Sequence, residues 1–66
     1  MAIAKVLEVI AESDVSWEDA ARNAVSEASK SVRNIKHLYV KDMQAIIDDG
    51  QIVKYRLNAN LTFVVE

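Results

Sequence analysis

The sequence predicts an α+β fold of order β-α-β-β, with a three-stranded antiparallel sheet wrapped around one amphipathic helix. Three observations predict it. From Val53 to Val65 apolar and polar residues alternate. Between Ser16 and Val32 the apolar period lengthens to that of a helix. Between the last two apolar runs stands the chain's one glycine, in IIDDGQIV.

The first segment, Ile3 to Ala11, is β-branched and apolar on both faces apart from Lys5 and Glu8, which predicts a strand. In the second, Trp17, Ala20, Ala21, Ala24, Val25, Ala28 and Val32 recur at helical spacing and form one stripe. Ser16 is a suitable N-cap. Glu18 and Asp19 then fall in the first turn, and Lys30 and Arg33 near the last, as the helix dipole prefers. The stripe is mostly alanine, so the helix can lie close to a curved sheet with Trp17 as its large anchor.

Asp49-Gly50 is a two-residue hairpin signal, because a type I′ turn needs positive φ at both central residues. Residues 35–47 and 51–65 are therefore expected to pair antiparallel. In the last strand Val53, Tyr55, Leu57, Ala59, Leu61, Phe63 and Val65 share the face that suits the core. Asn58 and Asn60 are poor strand formers, so packing on that odd-numbered face has to hold them. In the preceding strand Leu38 and Val40 suit the core, and simple alternation puts His37, Tyr39, Lys41 and Met43 on the opposite face.

A chain of 66 residues makes one domain, residues 1–66. A chain this short buries only about 60% of the surface its unfolded form exposes. Small domains usually add disulfides, a metal or partner chains. With no cysteine and one histidine, partner chains remain, and the 52% hydrophobic content points the same way. The formal net charge of −2, with eight basic and ten acidic residues, argues against nucleic acid. The opening MAIAKVLEVIAES has neither a cationic leader nor a membrane-length apolar run, so a soluble, cytoplasmic protein is expected.

Motifs for catalysis are missing. The one histidine, His37, has no orienting partner visible beside a nucleophile, and one glycine cannot build a phosphate-cradling loop. Zinc needs several His or Cys ligands at set spacing, and Asp48 and Asp49 read as a turn. No enzymatic activity is expected. The open sheet face, carrying His37, Tyr39, Met43 and Arg56, is the better candidate. Such side chains stack on flat ligands, and they equally pack across subunit interfaces. With a two-residue turn, His37 lies opposite Thr62 and Arg56 stands about 20 Å further along the sheet, so the two share a pocket only across a subunit boundary.

The β-α-β-β order, the segment SWEDAARNAVSEASKSVRNI, the acidic-glycine turn and the closing YRLNANLTFVVE together resemble the dodecin family over nearly the whole chain. The resemblance implies a hollow spherical homododecamer that binds flavins in pairs at subunit interfaces and stores or sequesters them without turnover. In flavin-binding members a tryptophan on the second strand stacks on the ring and a glutamine on the third strand bonds its edge. Those positions correspond to His37 and Arg56 here, and both depart from the pattern. An imidazole offers less stacking surface than an indole. A guanidinium has donors and no acceptor.

YRLNANLTF is more similar to a branch described as calcium-associated and free of flavin. Taken from the family at large, the resemblance implies a small-molecule ligand, riboflavin or FMN, held by His37, Arg56, Tyr39 and Asp42. Its alternative is a flavin-free, structural or calcium-binding shell.

Overall fold

The computed structural model describes residues 3–65. Strand β1 spans Ile3–Ser13, helix α1 Trp17–Ala28, strand β2 Ile35–Asp48 and strand β3 Gln51–Val65. The sheet order is β1-β3-β2, with both pairings antiparallel. The alternating last strand is therefore central, and β1 and β2 are both edges. Among the described residues no helix is long and apolar enough to cross a membrane.

The hairpin forms as its residues dictate. Asp49 (φ 52°) and Gly50 (φ 75°) both have positive φ, the geometry that Asp and Gly tolerate best. Three irregularities then interrupt the β2–β3 ladder. One lies at Ile46/Ile47, where β3 carries an extra residue, and two lie at Val40/Asp42 and Ile35/His37, where β2 does. The first two offset each other, so His37 still stands opposite Thr62.

The middle irregularity changes which side chains share a face. It leaves Lys41 unpaired, puts Asp42 beside Asn58 and puts Met43 opposite Leu57. Met43 therefore belongs to the helix side of the sheet, not to the outward face that simple alternation assigns it. A bulge inserts one residue and reverses the parity of everything beyond it.

At the other end of the helix, Ser16 is the N-cap, as its type predicts: extended in backbone, it accepts the Asp19 N–H at 2.9 Å. Ser13, buried at the end of β1, donates its hydroxyl to Asp19 Oδ2 at 2.7 Å and accepts the Val15 N–H at 2.9 Å. That bond ties the first strand to the first helical turn. The helix stops at Ala28, four residues before the end of the apolar stripe. Lys30 N–H and Ser31 N–H turn back to the carbonyls three residues earlier, tightening the chain as helix ends commonly do. Lys30 and Arg33 thus fall beyond the helix, and its last turn carries no basic residue. Asn34 (φ 62°) then redirects the chain into β2, a left-handed position that asparagine adopts more readily than most residues.

The core is small. Ala20 of the helix and Leu57, Ala59 and Leu61 of β3 are the buried apolar residues among those described. They hold Asn58 and Asn60 in the central strand by packing the opposite face. Beyond Tyr55 the sheet loses β1 and continues as a two-stranded ribbon, with Ile47, Ile52 and Val53 exposed. The radius of gyration is 13.5 Å, against about 11 Å for a compact chain of this length.

Candidate functional site

The outward face of the sheet is built from a polar central row. On β3, Arg56, Asn58, Asn60 and Thr62 point away from the helix, because their odd-numbered neighbours are the ones that bury. On β1 the residues opposite them are Glu12, Ile10, Glu8 and Val6. On β2 they are Gln44, Asp42, Tyr39 and His37. Each β3 residue therefore sits between one side chain from each edge strand.

Of the candidates, His37, Tyr39, Asp42 and Arg56 all stand on this face. Asp42 reaches it only through the bulge at Lys41, since strict alternation would turn it toward the helix. His37 and Tyr39 are neighbours, with Tyr39 two-thirds exposed. Arg56 pairs with Gln44 and lies six positions along β3 from Thr62, the partner of His37. The separation is about 20 Å, so one copy does not bring His37 and Arg56 together.

Two glutamates, Glu8 and Glu12, anchor three ion pairs on the face. Lys41 Nζ lies 2.8 Å from Glu8 Oε2, linking the two edge strands across β3. Arg56 donates Nε–H to Glu12 Oε2 at 2.7 Å, and its Nη2 meets the same oxygen. Lys54 Nζ lies 3.6 Å from the other Glu12 oxygen. The Arg56 hydrogen bond, with the charges of Arg56 and Lys54, holds the Glu12 carboxyl below the ordinary carboxylate range. The bond and charge of Lys41 do the same for Glu8, and Glu8 raises the Lys41 ammonium above its ordinary value. Between the pairs, Asn58 Oδ1 is buried without a hydrogen-bond partner among the described residues.

Glu8, Glu12 and Lys41 were not among the residues expected to matter. Strand β1 runs two residues beyond the Ile3 to Ala11 segment that its β-branched composition predicts, and so includes Glu12. The available signal was the alternation Val6, Glu8, Ile10, Glu12, which marks a half-polar strand, although only the β1–β3 register says which cation each glutamate meets.

This face is a surface and not a cleft. One groove of about 440 Å³ runs between β1 and the helix, lined by Leu7, Val9, Ala24 and Ala28 among others. Two further hollows lie beside Val32 and Phe63 and beside Val25 and Leu38. None of the three is lined by His37, Tyr39, Asp42 or Arg56. Among the described residues, no three of His, Cys, Asp and Glu gather in a way that would hold a metal ion.

Arg56 also fails the test of the amide-like edge contact that the resemblance implies at its position. Its Nε–H is already committed to Glu12, and it carries no acceptor. An amide does stand directly across the ladder, at Gln44.

A single helix laid on three antiparallel strands, with the far face of the sheet left open, defines the class: a small α+β protein with one uncovered sheet face. The model of the family described as Dodecin matches residues 3–66, and the chain belongs to that family. It is 33% identical over 63 residues to a calcium dodecin from Mycobacterium tuberculosis, covering 96% of this chain and 89% of the relative. Its fold is similar to that of dodecin from Streptomyces coelicolor, with TM-score 0.94 and 31% identity over 98% of this chain and 93% of that one. It is also similar to the crystal structure of the M. tuberculosis calcium dodecin, described as calcium chelating with a novel calcium-binding site. There the TM-score is 0.82 and the identity 33%, over 92% of this chain and 87% of that one.

Proposed function

We propose that this chain is a non-enzymatic storage or sequestration protein that assembles into a hollow homododecamer and encloses small ligands between subunits. The observation that carries this reading is how much apolar surface one copy leaves uncovered. Its accessible surface is 4885 Å², against about 4200 Å² for a folded monomer of its mass. Ile3, Val6, Ile10, Tyr39, Met43 and Ile47 are each more than half exposed. An elongated subunit with a two-stranded tip and two bare edges gains from partners what it lacks in core.

The ligand in this reading is a flavin, riboflavin or FMN, in an altered pocket. His37 and Tyr39 offer stacking surface, Gln44 beside Arg56 offers the amide, and a second copy brings the two ends together. When bound, a flavin supplies a flat ring system with hydrogen-bonding edges, and the role of these residues is to hold and shield it.

One observation favours a second reading, a flavin-free shell that holds cations. Asp42 is paired with Asn58, whose buried Oδ1 lacks a partner, and the chain is similar to a calcium dodecin. Carboxylate and amide oxygens are the donors calcium prefers, and neighbouring copies would have to complete the set.

The test is light scattering on the purified protein combined with riboflavin fluorescence. A mass of twelve chains, with saturable quenching lost in His37→Ala, supports the flavin shell. A twelve-chain particle that ignores riboflavin but melts higher with calcium and lower with a chelator supports the cation reading. A stable monomer overturns both.

A further inference from the structure

We infer that Glu12 sets the charge of the ligand group accepted at the Arg56 end of the outward face, by occupying two cations that would otherwise form an anion receptor. The inference rests on the reading of this face as a ligand surface, and it names the residue that decides between neutral and phosphate-bearing ligands there.

Lys54 and Arg56 stand two positions apart on β3, about 7 Å along the strand, and therefore on one face. Glu12 reaches them from β1. Its Oε2 accepts from Arg56 Nε at 2.7 Å and also meets Nη2, while its Oε1 lies 3.6 Å from Lys54 Nζ. One carboxylate thus uses both oxygens to hold two like charges that would repel each other without it. All three side chains remain partly exposed, at 39% for Arg56, 49% for Lys54 and 32% for Glu12, so solvent and solutes reach the cluster.

An incoming phosphate has to displace a carboxylate already tethered in place, whose effective concentration is on the order of millimolar or more. With Glu12 present, this end of the face disfavours anions and takes neutral groups. Riboflavin is then preferred over FMN wherever the phosphate approaches Arg56. Without Glu12, a guanidinium and an ammonium at this spacing match the geometry of a phosphate group.

The Glu8–Lys41 pair supplies an internal comparison. Glu8 lies on the same strand and face and is likewise bonded to a cation, at 2.8 Å. It holds one lysine where Glu12 holds two cations. Removing either glutamate changes net charge equally, but only Glu12 frees a paired site.

The experiment titrates inorganic phosphate into the assembled protein at low ionic strength, followed calorimetrically. Glu12→Gln is expected to bind phosphate about tenfold more tightly than the wild type, from removal of one charge in contact with the cations. Glu8→Gln is expected to gain less than about threefold, as befits one exposed lysine. The double variant Glu12→Gln with Arg56→Gln is expected to return to the wild-type level.

An equal gain in Glu8→Gln, no gain in Glu12→Gln, or a gain that survives Arg56→Gln overturns the inference. If Glu12→Gln does not assemble, wild type against Arg56→Gln decides. Equal weak phosphate binding supports Glu12 as the occupant, and a tenfold loss in Arg56→Gln shows the guanidinium free for anions and overturns it. Riboflavin quenching in the same samples reads the underlying function separately: its absence beside an intact phosphate gain overturns the flavin reading and upholds Glu12.

Discussion

The indole of Trp17 meets the ring of Tyr55 edge-on, with centroids 4.9 Å apart and planes at 76°, while its Nε1–H donates to the Gln44 carbonyl at 2.9 Å. One side chain thereby joins the start of the helix to both long strands. Phenylalanine at position 17 keeps an aromatic contact and loses the hydrogen bond. Trp17→Phe is expected to cost about 1 kcal/mol. Trp17→Ala removes the ring as well and is expected to cost about 3 kcal/mol. Urea unfolding measured with the oligomeric state held constant checks both, and equal losses in the two variants would show that the ring contact contributes nothing.

The turn at Gly50 gives a backbone prediction. A Cβ added there meets nothing within 4 Å, yet φ is +75°. Gly50→Ala therefore tests conformation without a clash and is expected to cost about 1 kcal/mol. Thermal unfolding reads it. An unchanged melting temperature would mean the turn is free to adopt another geometry.

Acid is expected to weaken the fold through the two cross-strand pairs. Glu8 and Glu12 both titrate below their ordinary range when folded. Their stabilisation is thus present above the unfolded carboxylate value and is lost as pH falls through the lowered folded value. Melting temperature followed downward from neutral pH should fall across this window. Glu8→Gln with Glu12→Gln should flatten the fall, and an unflattened curve would assign acid sensitivity to other carboxylates.

His37 and Arg56 give a gain-of-function prediction. His37→Trp with Arg56→Gln restores the stacking and edge-bonding residue types that the family resemblance implies. In a correctly assembled double variant, riboflavin quenching is expected to tighten by about tenfold or more, given that base or ring stacking on a larger aromatic is worth one to three kcal/mol. No gain would mean that neighbours such as Tyr39 block the ring.

Much of the fold was legible because it rests on local chemistry. The alternation of β3, the Ser16 cap and the Asp49-Gly50 turn each follow from a few adjacent residues, and each stands where its pattern predicts. The helix end was less legible: the apolar stripe ran on to Val32, while the backbone turned after Ala28 in a serine-rich stretch that favours local bonds over helix. Met43 was misplaced for a different reason. A bulge at Lys41 is set by how two strands meet, and alternation within one strand carries no trace of it.

The sequence by itself determined the element order, the hairpin and the buried face of β3, while the opposition of His37 to Thr62 expected from the turn holds only because two irregularities in the ladder cancel. Only the tertiary structure decided that β3 is central and that Asp42 faces outward. It alone also decided that Glu12 holds Arg56 and Lys54. The first group depends on periodicity and turn geometry, which act over a few residues. The second depends on strand register, which is set by how separate strands meet, 44 residues apart for Glu12 and Arg56 and across the bulged β2–β3 ladder for Asp42 and Asn58, and no short-range pattern encodes those.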